Sequence, residues 1–281
     1  MMMPGCLSSM AGAGCKAAVP RYCSGRMIDV WQGGSLFGAA VVAGAMNSVA
    51  GGGSFLTFPA LVMTGIPSIV ANATSTVAVW PGTVASVGAY RDDIRRERRL
   101  LPGLLVVSVI GGLLGAFVLL RTPQRTFDRI LPWLLFTATL IFAFGSRMAA
   151  WIRGRPHGDG TPIKVGVISW LLQLVIATYA GYFGAGTGFL MLAMLSLAGM
   201  SDIHAMNGVK TLLGATANVV AIVAFIWAGK IVWPQALLMA AGSTLGGYGG
   251  AYYARKVNPA AIRALVICIG AAMTGYFVWR A

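Results

Sequence analysis

Three consecutive glycines stand inside an apolar run, in Ala50-Gly51-Gly52-Gly53-Ser54-Phe55-Leu56. Each glycine costs a helix interior roughly 1 kcal/mol relative to alanine, so the run interrupts a helix. In surroundings as apolar as a bilayer, unwound backbone persists only where it is buried in protein or lines a cavity. A second interruption, Gly184-Ala185-Gly186-Thr187-Gly188-Phe189-Leu190, follows about 134 residues later. The pair predicts a duplicated membrane protein with two broken segments facing a common site.

Composition points the same way. Of 281 residues, 57% are hydrophobic and 10% charged, whereas soluble domains carry about 25% charged residues. The net charge of +14 lies in short connectors between apolar stretches. That pattern reads as loops held at a cytoplasmic face and as a field drawing anions toward pore mouths. No nucleic-acid partner is expected. Cys6, Cys15, Cys23 and Cys268, with His157 and His204 as the only histidines, form neither a disulfide framework nor metal-ligand spacing. No metal or cofactor is therefore expected. Residues 1–34 read as a tail, either disordered or partly upstream of a start at Met27, and hold no apolar core of signal-peptide length.

The chain then divides into a first repeat at 35–147, a linker at 148–164 and a second repeat at 165–281. Each repeat reads as an apolar lead-in, a glycine break, a half-span, a turn, a polar-headed helix, a glycine-rich span and a final span. At one offset Gly52 pairs with Gly186, Phe55 with Phe189, Gly65 with Gly199 and Ala71 with Ala205. The first polar-headed helix carries a breaker of its own, Trp80-Pro81-Gly82, and the charged stretch at 91–99 reads as an aqueous connector. The expected class is an all-α polytopic membrane protein with four to five transmembrane segments per half. Residues 165–198 would form about 50 Å of helix at 1.5 Å per residue, against a hydrocarbon core of roughly 30 Å. One straight span is excluded. One net crossing there gives parallel repeats and two give inverted repeats. The distribution of basic loops does not choose between them. Inverted repeats meeting at broken helices are a recurrent transporter plan, and the reading leans that way.

Lys210 is the sharpest single signal, an ammonium inside an apolar segment, where insertion costs roughly 2.5–3.5 kcal/mol. It either snorkels to headgroups or supplies fixed positive charge for an anion, with Asn207 one turn before it and Thr211 and Gly214 following. Asn72, Thr74, Ser75 and Thr76 open the matching helix and either cap and cross-link helices or hold substrate oxygens. Gly51, Gly52, Gly53, Gly184, Gly186 and Gly188 free backbone amides at helix starts, where anions bind; the bland alternative is close helix crossing. Asn47 lies beside the first break, and Gln173 and Tyr182 beside the second. His204, with Asp202 nearby, reads first as a surface or capped histidine. No Asp or Glu falls inside an apolar segment, which disfavours a carboxylate relay.

The run from Ala50 to Leu56 and on to Pro59, then Gly65-Ile66-Pro67 and Ala71-Asn72-Ala73-Thr74-Ser75, resembles the sulfite exporter TauE/SafE family. The second-half run 184–190, with 205–210, looks like that family's repeated motif. The resemblance implies a secondary carrier of the bacterial cytoplasmic membrane moving a small sulfur oxyanion or organosulfonate. Met206-Asn207-Gly208-Val209 departs from the threonine-rich first-half motif, so a fully symmetric site is not expected. A passive anion channel is the alternative function. An enzyme would need a nucleophile–base pair or a metal cluster, and the sequence offers neither. The partners expected are a small anion and the bilayer, with a coupling proton or cation and a homodimer left open.

Overall fold

The computed structural model describes residues 30–49, 51–98, 101–153, 166–200, 202–253 and 259–280. They form α1 (Val30–Val49), α2 (Ser54–Met63), α3 (Ser68–Ala89), α4 (Arg91–Arg96), α5 (Leu101–Arg121), α6 (Gln124–Arg153), α7 (Val167–Tyr182), α8 (Thr187–Leu197), α9 (Ile203–Trp227), α10 (Trp233–Tyr253) and α11 (Pro259–Arg280). Most of the tail expected over 1–34, and residues 154–164 of the linker, lie outside the described residues. Helix α6 continues to Arg153, past the expected boundary of the first repeat. By length and apolarity, 101–121, 124–145 and 203–227 suffice to cross a membrane.

One expectation is corrected. Pro81 does not break α3, which runs unbroken from Ser68 to Ala89. Packing on α10 holds the helix straight through this point, where the Ser243 hydroxyl donates to the Ala78 carbonyl. Gly82 leaves room for that contact, since a Cβ there would run into the Ser243 backbone. The charged connector after α3 also folds, as α4. Asp92 and Asp93 occupy its first turn and Arg95 and Arg96 its last, the arrangement that a helix dipole favours.

Six helices pack in a row: α1 on α10, α10 on α3, α3 on α9, α9 on α5 and α5 on α7. Exchanging the halves maps this row onto itself. Helices α6 and α11 pair with each other, α6 touching half-span α8 and α11 touching half-span α2. The glycine-rich helices permit the tightest crossings. A Cβ at Gly115 would meet the Thr178 carbonyl of α7, and one at Gly246 the Val41 carbonyl of α1.

Register fixes direction. Helix α1 runs parallel to α10, Phe37 lying against Gly242 and Val41 against Gly246. Helix α5 runs parallel to α7, with Gly103 against Trp170, Ser108 bonded to Gln173, and Gly115 against Tyr182. Matching helices α3 and α9 run antiparallel, because Trp80 donates to the Ala215 carbonyl while Tyr90 and Ile94 cover Gly208. Outward residues of α5 such as Val106, Ile110, Leu113 and Phe117 are exposed, a surface suited to lipid.

Candidate functional site

Each break folds the chain back on itself. Gly51 takes φ 72° and Gly184 and Gly186 take 78° and 79°, a left-handed region costing other residues roughly 1–2 kcal/mol. After the first break α2 returns alongside α3 in the opposite direction, with Gly53 against Val79 and the Thr57 hydroxyl 2.6 Å from that of Ser75. The breaks then meet. A Cβ on Gly51 would lie 2.9 Å from Gly188 Cα. Behind them the Phe142 ring of α6 stands edge-on to Phe55 at 5.7 Å and to Phe189 at 4.8 Å.

Between the breaks lies a cavity of about 50 Å³ near the middle of α3 and α9. A buried water needs roughly 10–15 Å³ on this measure, so the space suits a few waters or one small ion. The starts of α2 and α8 border it through Gly51, Gly52, Gly53 and Ser54 on one side and Gly184, Thr187 and Gly188 on the other. The first amides of a helix have no partner within it and carry the positive end of its dipole, but the Gly51 and Gly184 amides, expected to be freed, donate to the Met46 and Tyr179 carbonyls. Helix α3 adds Thr76, Val79 and Thr83; α9 adds Lys210, Thr211, Gly214 and Asn218. These follow one helical face at spacings of three, four and seven.

Lys210 is the charge at this site. Its side chain is 3% exposed, and its ammonium donates to Asn207 Oδ1 at 3.0 Å. Among the described residues every ion pair is formed by Asp92 or Asp93 on α4, so no carboxylate neutralises Lys210. A Cβ on Gly51 would stand 3.9 Å from Nζ, which puts the ammonium beside the first break. Snorkelling does not describe this geometry, because the side chain is buried among helices.

The sequence candidates separate into three groups. Asn47, Gly51, Gly52, Gly53, Gly184, Gly188 and Lys210 line the cavity. Asn207 stands behind it as the partner of Lys210. The others bond elsewhere. Asn72 donates to the Tyr182 carbonyl, Thr74 accepts from the Val232 amide, Ser75 pairs with Thr57, and Gly186 abuts the Ala138 carbonyl of α6. Gln173 is likewise held at the α5–α7 crossing by Ser108. Asp202 caps α9 by accepting from the His204 amide, and His204 is exposed.

Thr76, Thr211 and Gly214, read in sequence beside Asn72 and Lys210, also line the cavity, whereas Thr83, Thr187 and Asn218 were not singled out as site residues by sequence. An offset of about 135 residues pairs Thr76 with Thr211 and Thr83 with Asn218, a signal that the glycine-based alignment hides by one position. Asn47 Nδ2 donates to Thr83 Oγ1 at 2.6 Å and ties α1 to α3 at the cavity wall.

The family model for sulfite exporter TauE/SafE matches residues 36–277. The chain belongs to this family. It is similar to "Probable membrane transporter protein ORF9" of a Sinorhizobium species, 32% identical over 241 residues, covering 85% of this chain and 89% of the relative. "Probable membrane transporter protein" of Haemophilus influenzae is 27% identical, covering 87% and 93%. "Probable membrane transporter protein YfcA" of Escherichia coli is 28% identical, covering 88% and 89%. No solved structure matches the chain. The TauE/SafE relatives are named as membrane transporters, and the apolar helices of this chain accord with a membrane protein.

Proposed function

We propose that this TauE/SafE protein is a secondary transporter of the bacterial cytoplasmic membrane that moves a small anion, a sulfur oxyanion or an organosulfonate, by alternating access. The observation that carries this reading is Lys210, an ammonium buried in α9 beside a small cavity, with Asn207 as its one hydrogen-bond partner among the described residues. Intramembrane charges mark substrate or ion pathways. The amide-rich starts of α2 and α8 add the donors that tetrahedral oxyanions take at helix N-termini. A cavity of about 50 Å³ favours a compact anion over a bulky one.

We infer that the two halves are inverted repeats, which supports the alternating-access part. The antiparallel course of α3 and α9, with the exchange-symmetric row of helices, favours an odd number of passages per half and thus a multi-pass chain. Rocking one repeat against the other around a fixed site would then open it to each side in turn.

Proteoliposomes loaded with labelled sulfite, sulfoacetate or taurine test the reading. Saturable uptake with counterflow for at least one of these, lost in Lys210→Ala, is the expected result. Absence of flux for all of them would remove the sulfur-anion assignment. Large unsaturable currents would favour a passive channel.

A further inference from the structure

A second hollow of about 500 Å³ opens at the end of the molecule where α3 and α6 begin. Val62 and the Gly65–Ser68 turn form one wall, and Gln124, Arg125, Asp128 and Arg129 of α6 another. Ser68 and Gln124 both donate to Asp128 Oδ1. The carboxylate is thereby tied to the wall, while Arg125 and Arg129 stay exposed. The hollow therefore offers positive charge to an incoming anion.

The hollow and the central cavity are in line. On α2 the hollow is lined by Val62 and the cavity by Ser54, with Phe58 midway between them. On α3 the hollow is lined by Ser68 and the cavity by Thr76, with Asn72 midway. Each step is four residues, about one turn, so roughly 11 Å separate the two spaces at a 5.4 Å pitch. On α7 the residues just before cavity-lining Gly184 are Tyr182 and Phe183. On α6, Phe127 directly precedes Asp128.

These intermediate residues form one continuous layer. Phe58 and Phe183 stand edge-on at 5.6 Å, Phe127 lies 5.9 Å from Tyr182 and 6.5 Å from Phe183, and Phe58 stacks on Phe277 at 6.5 Å. Phe58, Phe127 and Phe183 are buried. Asn72 Nδ2 donates to the Tyr182 carbonyl at 2.9 Å, fastening α3 to the end of α7 across the layer. At the offset that pairs Thr76 with Thr211, the position corresponding to Asn72 on α9 is Asn207, whose Oδ1 accepts from Lys210 instead.

We propose that the transported anion passes between the hollow and the central cavity, and that the Phe58–Phe127–Phe183 layer is the gate on that route, latched by Asn72 on the Tyr182 carbonyl. This rests on the transport reading above. Opening the gate needs α3 and the α7 break to part, which breaks one hydrogen bond and separates ring contacts without unwinding a helix. Ser68 and Asn72 then present polar groups one turn apart along the opened path to Thr76.

The test is side-specific thiol labelling of the full chain in sealed vesicles, with Cys6, Cys15, Cys23 and Cys268 changed to serine. The probe is the membrane-impermeant anion methanethiosulfonate ethylsulfonate. Ser68→Cys is expected to react from one side in the otherwise unaltered protein, and Thr76→Cys slowly. Adding Phe127→Ala or Asn72→Ala is expected to accelerate labelling of Thr76→Cys at least tenfold from the Ser68 side only. Unchanged rates in both variants, or acceleration from the opposite side alone, overturn the gate. Should Phe127→Ala fail to fold, Asn72→Ala decides, because it removes one hydrogen bond and little volume. Labelling requires no transport, so a gate that behaves as expected beside absent flux in proteoliposomes would count against the transport reading, and the reverse against the gate.

Discussion

Gly51 and Gly188 touch backbone to backbone, so closely that a Cβ on Gly51 would lie 2.9 Å from Gly188 Cα. Residues far apart in sequence thus bring the two breaks together, and the cavity with Lys210 lies where they meet. Alanine at Gly51 would carry both the left-handed φ and this overlap. Gly229 is the control, having φ 62° but open space around it. Gly229→Ala should cost about 1–2 kcal/mol and preserve flux. Gly51→Ala should cost more and abolish flux; thermal unfolding in detergent and proteoliposome uptake report the two.

Lys210→Met keeps the length of the side chain and removes the charge. A hydrogen bond to a charged group is worth about 1.5–3 kcal/mol, so affinity for the anion should fall on the order of 100-fold, or 2.7 kcal/mol at 1.36 kcal/mol per decade. Stability should hold or rise, since a buried ammonium without a carboxylate is no longer desolvated. Calorimetric titration with sulfite, beside a melting curve, separates these effects. A fall in both would mean that Lys210 serves the fold.

The Asn47–Thr83 bond joins α1 to α3 at the cavity wall. Thr83→Val strands the amide and should cost about 1–3 kcal/mol. The double variant Asn47→Leu with Thr83→Val should recover part of that loss. A mutant cycle read by denaturation would show a coupling near zero if the two side chains do not interact.

Close helix crossing predicts matched defects in the two halves. Gly115→Leu would drive a side chain into the Thr178 carbonyl and Gly246→Leu one into the Val41 carbonyl. Each should reduce the yield of monodisperse protein severely. Gly249→Leu, where a Cβ meets nothing within 4 Å, should be tolerated.

The breaks were legible in sequence because three glycines in an apolar run have few other uses, and Lys210 because an ammonium there is expensive. The polar head of α3 was harder to read. Asn72, Thr74 and Ser75 are consecutive or nearly so, and side chains 100° apart around a helix cannot all face one space. They bond to α7, the Val232 amide and α2 in turn, while Thr76 faces the cavity. Thr83 and Asn218 carried no signal alone, since a single hydroxyl or amide in a helix more often serves its own backbone or a neighbour. The direction of the repeats could not be read from charge, because it depends on whether a broken pair returns or continues. That depends on the fold-back at Gly51, which hydropathy does not encode.

The parallel pairing of α1 with α10 carries a consequence for biogenesis. Helix α1 has as its main neighbour one that is synthesised about 200 residues later. Until α10 emerges, the small-residue seam of α1 around Ala40 and Gly44 has only lipid or a chaperone to cover it. A chain stopped after the first repeat should thus be recognised by membrane proteases as an unfinished product, and coexpression with the second repeat should rescue it.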